Sequence, residues 1–240
     1  MEPEKNNEGV AEVKQSISVS AAVLLGALMI SISILVSGFI HAGPRTETND
    51  DTETSVTADI KNVDIKDSPF IGEKNAPALA YYSDFQCPYC KKFDESVLID
   101  LKKEYVDTGK IKIVFKDFAF LGPDSKTAAL YGRSVWALYP EKYYDWRIAM
   151  FLAQDEEHGG FGDEASVKKL TGTIAGVDAE KVSADVVKNK ADYQKMLDAD
   201  YNEGKSLGVD GTPSILVGKT LIAGFYADLD YIEAVGKGLK

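Results

Sequence analysis

The order of strand-like and helix-like patterns along residues 69–239 predicts an α/β domain. An almost wholly apolar run at 78–83 predicts a buried strand, and a second run at 111–116 predicts another. Between the two runs, apolar residues recur at helical spacing with charged residues among them: Phe93, Val97, Leu98, Leu101 and Tyr105. Two strands that flank a helix predict a βαβ unit whose strands are parallel.

A helical block separates this unit from a second group of strands. Apolar periodicity predicts helices at 128–138, 143–153 and 193–207, and Asp163 is predicted to cap a further helix. Strand patterns return at 214–217 and 221–223, followed by a last helix from about residue 229.

Upstream of the first buried strand, apolar and polar residues alternate at 63–66, which predicts a short edge strand. Residues 69–72 are interpreted as a connector. The predicted order is therefore ββαβ, a helical block, then ββα.

The amino-terminal part has a different pattern. Residues 17–40 contain no charged residue and are long enough to span a bilayer as a helix, so we predict a transmembrane signal anchor. Cleavage after Ala42 is the lesser alternative, because Ile40 stands where a signal peptidase site needs a small residue. Residues 41–68, rich in Thr, Asp, Glu and Asn, are predicted to be a polar linker.

Two charge features set the orientation and exclude one class of partner. Lys5 and Lys14 precede the apolar segment, and this basic bias favours a cytoplasmic location for residues 1–16. The net charge of −11 argues against a nucleic-acid partner.

The only two cysteines, Cys87 and Cys90, form a C-x-x-C motif at the predicted junction between the first buried strand and its helix. Pro88 suits the first position of a helix, where no backbone N–H is needed. Cys87 is then predicted to lie at a helix N-terminus, where unpaired N–H groups and the helix dipole lower the pKa of a thiol. Cys90, one turn further on, is close enough to form a disulfide with Cys87 and to resolve a mixed disulfide.

The alternative interpretation of a C-x-x-C motif is half of a structural zinc site. Such a site takes four Cys or His ligands, and this chain offers only His41 and His158 besides its cysteines. Those histidines fall in the segment next to the apolar run and in a glycine-rich loop, so a redox motif is favoured and no metal is predicted.

A second motif, residues 211–214, stands just before the returning strand. Pro213 opens that strand after the flexible Gly211, which is a natural place for a cis peptide bond.

With these motifs, the chain resembles the DsbA-type branch of the thioredoxin superfamily in its membrane-anchored bacterial form. The similarity covers residues 69–239, and its most specific parts are residues 83–90 and 211–214. The resemblance implies a thioredoxin fold with an inserted helical domain at about 121–205, preceded by the single transmembrane helix.

The same resemblance implies roles for individual residues. It implies Cys87 as nucleophile, Cys90 as resolving thiol and Pro213 in cis opposite them, with the backbone of Thr212 pairing with an extended substrate segment. Asp84, the nearest acid before the motif, is a candidate proton acceptor and equally a partly exposed turn residue.

These features predict a membrane-tethered thiol–disulfide oxidoreductase that acts outside the cytoplasm on folding secreted proteins with free thiols. Its cofactor is its own Cys87–Cys90 disulfide, and a membrane quinone-linked thiol oxidase is the expected recycling partner. A reductase or isomerase of the same fold is the first alternative, because the Pro88–Tyr89 pair also occurs in glutaredoxins. A tethered binding or chaperone module with a structural disulfide is the second.

Overall fold

The structure is a computed structural model that describes residues 58–155, 159 and 161–240. The predicted cytoplasmic segment 1–16, the predicted membrane helix 17–40 and residues 41–57 of the predicted linker lie outside the described residues. Within the part of the chain that is described, no helix is both long and apolar enough to cross a membrane.

A five-stranded mixed sheet forms the centre of the domain. Its strands are β1 (Phe70–Ile71), β2 (Ala78–Ser83), β3 (Lys112–Asp117), β4 (Ser214–Val217) and β5 (Thr220–Ala223). The spatial order is β1-β3-β2-β4-β5, in which β2 and β3 are parallel and the other neighbouring pairs are antiparallel. The predicted βαβ unit is therefore confirmed.

Strand β2 is buried on both faces of the sheet, which explains its nearly continuous apolar sequence. Leu79 and Tyr81 contribute to a core cluster on one face, whereas Ala80 and Tyr82 contribute to a second cluster on the other. All four residues are inaccessible to solvent.

Seven α-helices complete the described part of the chain. They are α1 (Pro88–Glu95), α2 (Val97–Leu101), α3 (Pro123–Leu138), α4 (Tyr143–Ala153), α5 (Glu164–Thr171), α6 (Ala179–Ser206) and α7 (Tyr231–Gly238). Helices α3 to α6 form the predicted insertion between β3 and β4. Its buried apolar side chains, Trp146 among them, belong to the same core cluster as Leu79 and Tyr81 of the sheet.

The predicted edge strand at 63–66 is wrong. Residues 63–66 form no strand; they follow a 3-10 helix, Ile60–Asn62. The first strand lies at Phe70–Ile71, within the predicted connector. Two N–H groups of residues 63–66 bond to side chains rather than to a strand: Asp64 N–H donates to Glu203 at 2.5 Å and Lys66 N–H to the Asp64 side chain at 2.9 Å.

The described end of the predicted linker packs onto the domain. Val63 and Ser68 are buried, and the N–H of Ile60 donates to the carbonyl of Gly218 at 2.7 Å. The folded part of the chain therefore includes residues 58–68 as well.

Candidate active site

The sequence places Cys87 at the junction between β2 and α1, and the structure makes it the N-cap of α1 with Pro88 as the first helical residue. The Cys87 carbonyl accepts hydrogen bonds from Cys90 N–H at 3.1 Å and Lys91 N–H at 3.2 Å, which close the first turn of the helix. Both cysteines are free thiols, and both are buried. The predicted position of Cys87 at a helix N-terminus is confirmed.

The two thiols have opposite environments. The hydrogen bond from Cys90 lowers the pKa of the Cys87 thiol to about 7, against burial, which raises it. Backbone N–H groups of Cys90 and Tyr89 lower the pKa of Cys87 further. Burial, together with the hydrogen bond to Cys87, raises the pKa of the Cys90 thiol well above its ordinary value. Cys87 is thus the thiol that ionises first as the pH rises, and Cys90 stays protonated to higher pH.

The antiparallel pairing of β2 with β4 brings the second motif to the cysteines. Ser214, the first residue of β4, pairs with Tyr82, so the preceding residues lie beside the segment that follows β2. The Thr212–Pro213 peptide bond is cis, as predicted. The Thr212 carbonyl lies 3.3 Å from Cys87 Sγ.

Asp84 is buried, so the expectation of a partly exposed turn residue is wrong. One carboxylate oxygen accepts from Gln86 N–H at 2.8 Å, and the other accepts from the N–H groups of Phe120 and Leu121 at 2.9 and 3.0 Å. Burial raises the pKa of this carboxyl, and the hydrogen bonds counteract the rise. These contacts tie the segment before Cys87 to the start of the helical insertion.

Tyr89 and Pro88, between the two cysteines, are both exposed. The Tyr89 ring is 53% exposed, and its centroid lies 6.4 Å from that of Phe225 in the loop after β5. The site therefore presents an aromatic surface beside the buried Cys87 sulfur.

The sequence did not single out a buried ion pair beneath the site. Asp94, one turn after Cys90, accepts two hydrogen bonds from the Arg147 guanidinium of α4 at 2.9 and 3.1 Å, and a third from the Tyr81 hydroxyl at 2.7 Å. The guanidinium also lies over four aromatic rings and nearest to Phe115, at 4.3 Å from the ring centroid. The sequence signal that could have identified Asp94 is its four-residue spacing from Cys90, which puts both residues on one face of the helix.

Gln154 and Gln86 were also missed. The Gln154 side-chain amide donates to the carbonyls of Phe85 and Cys87, and the Gln86 amide donates to the carbonyl of Phe161. No local pattern marks such contacts, because the partners are 67 to 75 residues apart along the chain.

A protein-family model described as thioredoxin matches residues 64–232. Disulfide bond formation protein D of Bacillus subtilis is 28% identical over 80% of this chain and 86% of its own length. The probable disulfide bond formation protein D of Bacillus cereus is also 28% identical, over 71% of this chain and 78% of its own length.

Solved structures show the same architecture. Oxidised BdbD from Bacillus subtilis superimposes with a TM-score of 0.67 at 24% identity, covering 76% of this chain and 97% of that one. The thiol–disulfide exchange protein alpha-DsbA2 from Wolbachia pipientis gives a TM-score of 0.61 at 26% identity, covering 71% of this chain and 85% of that one.

Proposed function

We propose that this chain, which belongs to the DsbA-like branch of the thioredoxin family, is a dithiol oxidase. It donates a Cys87–Cys90 disulfide to the thiols of folding proteins. The single observation that carries the exchange reaction is the opposite tuning of the two thiols, with the Cys87 pKa lowered to about 7 and the Cys90 pKa raised. A structural disulfide needs no such asymmetry. The similarity to disulfide bond formation protein D supports the oxidase direction.

The first step of the proposed reaction joins enzyme and substrate. A substrate thiolate attacks Cys87 Sγ of the oxidised protein, the S–S bond to Cys90 breaks, and the Cys90 sulfur leaves with the bonding electron pair. Cys90 then takes up a proton, because burial raises its pKa well above the ordinary value.

The second step releases the product. A second substrate thiolate attacks the substrate sulfur of the mixed disulfide, and Cys87 leaves as a thiolate. Its lowered pKa makes it a good leaving group. Two electrons pass from the substrate dithiol to the enzyme, the substrate gains one disulfide, and Cys87 and Cys90 end reduced.

The segment before β4 is the proposed binding edge for the substrate backbone. Since the Thr212 carbonyl lies 3.3 Å from Cys87 Sγ, an extended peptide that pairs with Thr212 brings its own cysteine to the reactive sulfur. Pro213 ends the ladder of β4 at this edge, because it has no N–H to donate.

The proposed location is outside the cytoplasm, with residues 17–40 as the tether. The charge-free apolar sequence of that segment supports it, as does the general rule that persistent disulfides form outside the cytoplasm. The chain has no third cysteine to reoxidise the pair, so a membrane quinone-linked thiol oxidase is the proposed recycling partner. A reporter enzyme that works only outside the cytoplasm, fused after Arg45, should be active; activity of a cytoplasmic reporter at that position would contradict the location.

Trapping of mixed disulfides tests the roles of the two cysteines. Cys90→Ala keeps the nucleophile but removes the resolving thiol, so it should accumulate mixed disulfides with secreted proteins. Cys87→Ala should accumulate few, because the remaining Cys90 is fully buried and its pKa is raised. Non-reducing gels of cells that express each variant give the comparison. Equal trapping by both variants would contradict the assignment.

One observation favours a second candidate, a disulfide reductase of the same fold. A nucleophilic-cysteine pKa of about 7 is the value found in thioredoxin, whereas that of DsbA is about 3.5. The two candidates differ in reduction potential, which is the measurement that decides between them.

A further inference from the structure

Gln154 is the C-cap of helix α4, directly after its last residue, and its side chain contacts the backbone around the nucleophile. Its side-chain amide donates to the Phe85 carbonyl at 2.8 Å and to the Cys87 carbonyl at 3.2 Å. The residue is only 8% exposed. Neither acceptor is in a strand, so this one side chain bridges two carbonyls of the irregular segment between β2 and α1.

The contact between α4 and the active-site segment is reciprocal. While the Gln154 side chain donates to the backbone of residues 85–87, Lys91 of α1 donates through Nζ to the Gln154 carbonyl at 3.1 Å. Gln86 adds a third bond, to the Phe161 carbonyl at 3.0 Å. The end of α4 and the chain that follows it therefore hold the residues on both sides of Cys87.

We propose that Gln154 is a positioning residue that sets the reactivity of the Cys87 thiol by fixing the Cys87 backbone against the first turn of α1. This inference rests on the proposed function of Cys87 as the nucleophile. It assigns to the helical insertion a direct part in the chemistry of the thioredoxin-like half.

The physical reason lies in the Cys87 carbonyl. That oxygen also accepts hydrogen bonds from the N–H groups of Cys90 and Lys91. A side chain that holds this carbonyl therefore also sets the orientation of Cys87 relative to the first turn of α1. N–H groups of that first turn stabilise the Cys87 thiolate. The N–H end of the Gln154 amide, the positive end of its dipole, also faces this segment and favours negative charge there. Loss of the amide should weaken both effects.

Gln154→Met keeps the length of the side chain but removes both N–H donors. The pKa of Cys87 in the full-length reduced protein should rise by about 0.5–1 unit, the effect expected of one neutral hydrogen bond. Thiolate absorbance against pH, with the oxidised protein as blank, measures it, because Cys90 ionises only at higher pH. Gln194→Met, which changes a glutamine that bonds Asp198 on the surface of α6, is the matched control and should leave the pKa unchanged.

Gln154→Glu tests the electrostatic part of this role. It keeps the shape of glutamine but places a carboxylate against two carbonyls, so the Cys87 pKa should rise further than with methionine. A Cys87 pKa that neither variant changes, even if both lower the melting temperature, would overturn the role of Gln154. If Gln154→Met prevents folding, Gln154→Asn takes its place. An unchanged Cys87 pKa in that variant would equally contradict the positioning role.

The same titration separates this inference from the function on which it rests. An unshifted Cys87 pKa of about 9.0 in the unsubstituted protein would contradict the proposed nucleophile itself. A low pKa in the unsubstituted protein that the Gln154 variants leave unchanged would contradict only the positioning role.

Discussion

Cys87 and Cys90 differ in reactivity because one caps the N-terminus of α1 and the other lies inside its first turn. Cys87 is the N-cap and receives hydrogen bonds from the thiol and backbone of Cys90, whereas Cys90 lies inside the first turn and is inaccessible to solvent. Since the thiolate is the better nucleophile and the better leaving group at Cys87, one short segment provides both halves of an exchange reaction.

The lowered pKa of Cys87 makes the stability of the reduced protein depend on pH. The folded pKa of about 7 lies below the ordinary 9.0, so the stabilisation is present above the unfolded value and is lost as the pH falls through about 7. Between about pH 6 and pH 9 the free energy of unfolding of the reduced form should rise by about 2 kcal/mol relative to the oxidised form.

Denaturant titrations of both redox forms across this range give the difference, and a difference that stays constant with pH would contradict the shift. Above about pH 9 the trend should reverse, because the raised pKa of Cys90 keeps it protonated in the folded state while it ionises in the unfolded chain.

At the residue scale, the sequence identifies the reacting atoms better than their supports. Cys87, Cys90 and Pro213 can be found because a pair of cysteines next to a proline-opened helix, and a proline that opens a strand, are local patterns. Gln154 could not be found in this way, since its partners are distant in sequence and its role depends on where α4 ends.

At the scale of elements, the active-site segment is fastened to the insertion on two sides. The Asp84 carboxylate accepts from two N–H groups at the start of the insertion. The Gln154 amide, at the end of α4, donates to the carbonyls of Phe85 and Cys87. Beneath them, the ion pair between Asp94 of α1 and Arg147 of α4 is almost fully buried. Helix α1 is thus fixed at its beginning and along its inner face.

Removal of one partner of that ion pair should be costly. Arg147→Met leaves the Asp94 carboxylate buried without its cation, which should lower the free energy of unfolding by about 3–5 kcal/mol at neutral pH. Burial already raises the pKa of Asp94, and Arg147 lowers it. Without Arg147 the folded pKa therefore rises further above the unfolded value, so the loss should shrink as the pH falls and Asp94 is protonated.

The double variant Asp94→Asn with Arg147→Met provides the matched control, because it removes both charges and leaves no unpaired one. It should be more stable than Arg147→Met alone, and denaturant titrations of the single and double variants measure the difference. If the losses of unfolding free energy were additive in the double variant, the two charges would act independently, and the stabilising role of the Asp94–Arg147 pair would be contradicted.

The elements themselves were predicted unevenly, for physical reasons. Strand β2 was found because burial on both faces makes it a nearly continuous apolar run, and β3 was found from its apolar centre, residues 113–115. Helix α6 was predicted only from residue 193, although it begins at Ala179, because its first half has few buried residues: Val182 and Val186. The alternation at 63–66 suggested a strand, but two backbone N–H groups there donate to carboxylates: that of Asp64 to Glu203 and that of Lys66 to the Asp64 side chain.

At the scale of the whole molecule, the insertion and the sheet are packed as one unit. They share one hydrophobic core cluster, and the insertion contributes the Arg147 and Gln154 contacts that surround the cysteine helix. The sequence predicts the insertion and the fold that carries it, yet only the packed structure shows that Gln154 of this region contacts the Cys87 backbone. The transmembrane tether, residues 17–40, stays a prediction.

The reduction potential of the Cys87–Cys90 pair decides whether the protein donates disulfides or reduces them. Equilibration of the full-length protein with defined ratios of reduced and oxidised glutathione gives its value. A dithiol oxidase should have a potential above about −200 mV, clearly more oxidising than the cytosolic glutathione pool and in the direction of DsbA at about −120 mV. A potential near the roughly −270 mV of thioredoxin would contradict the oxidase and identify the protein as a reductase.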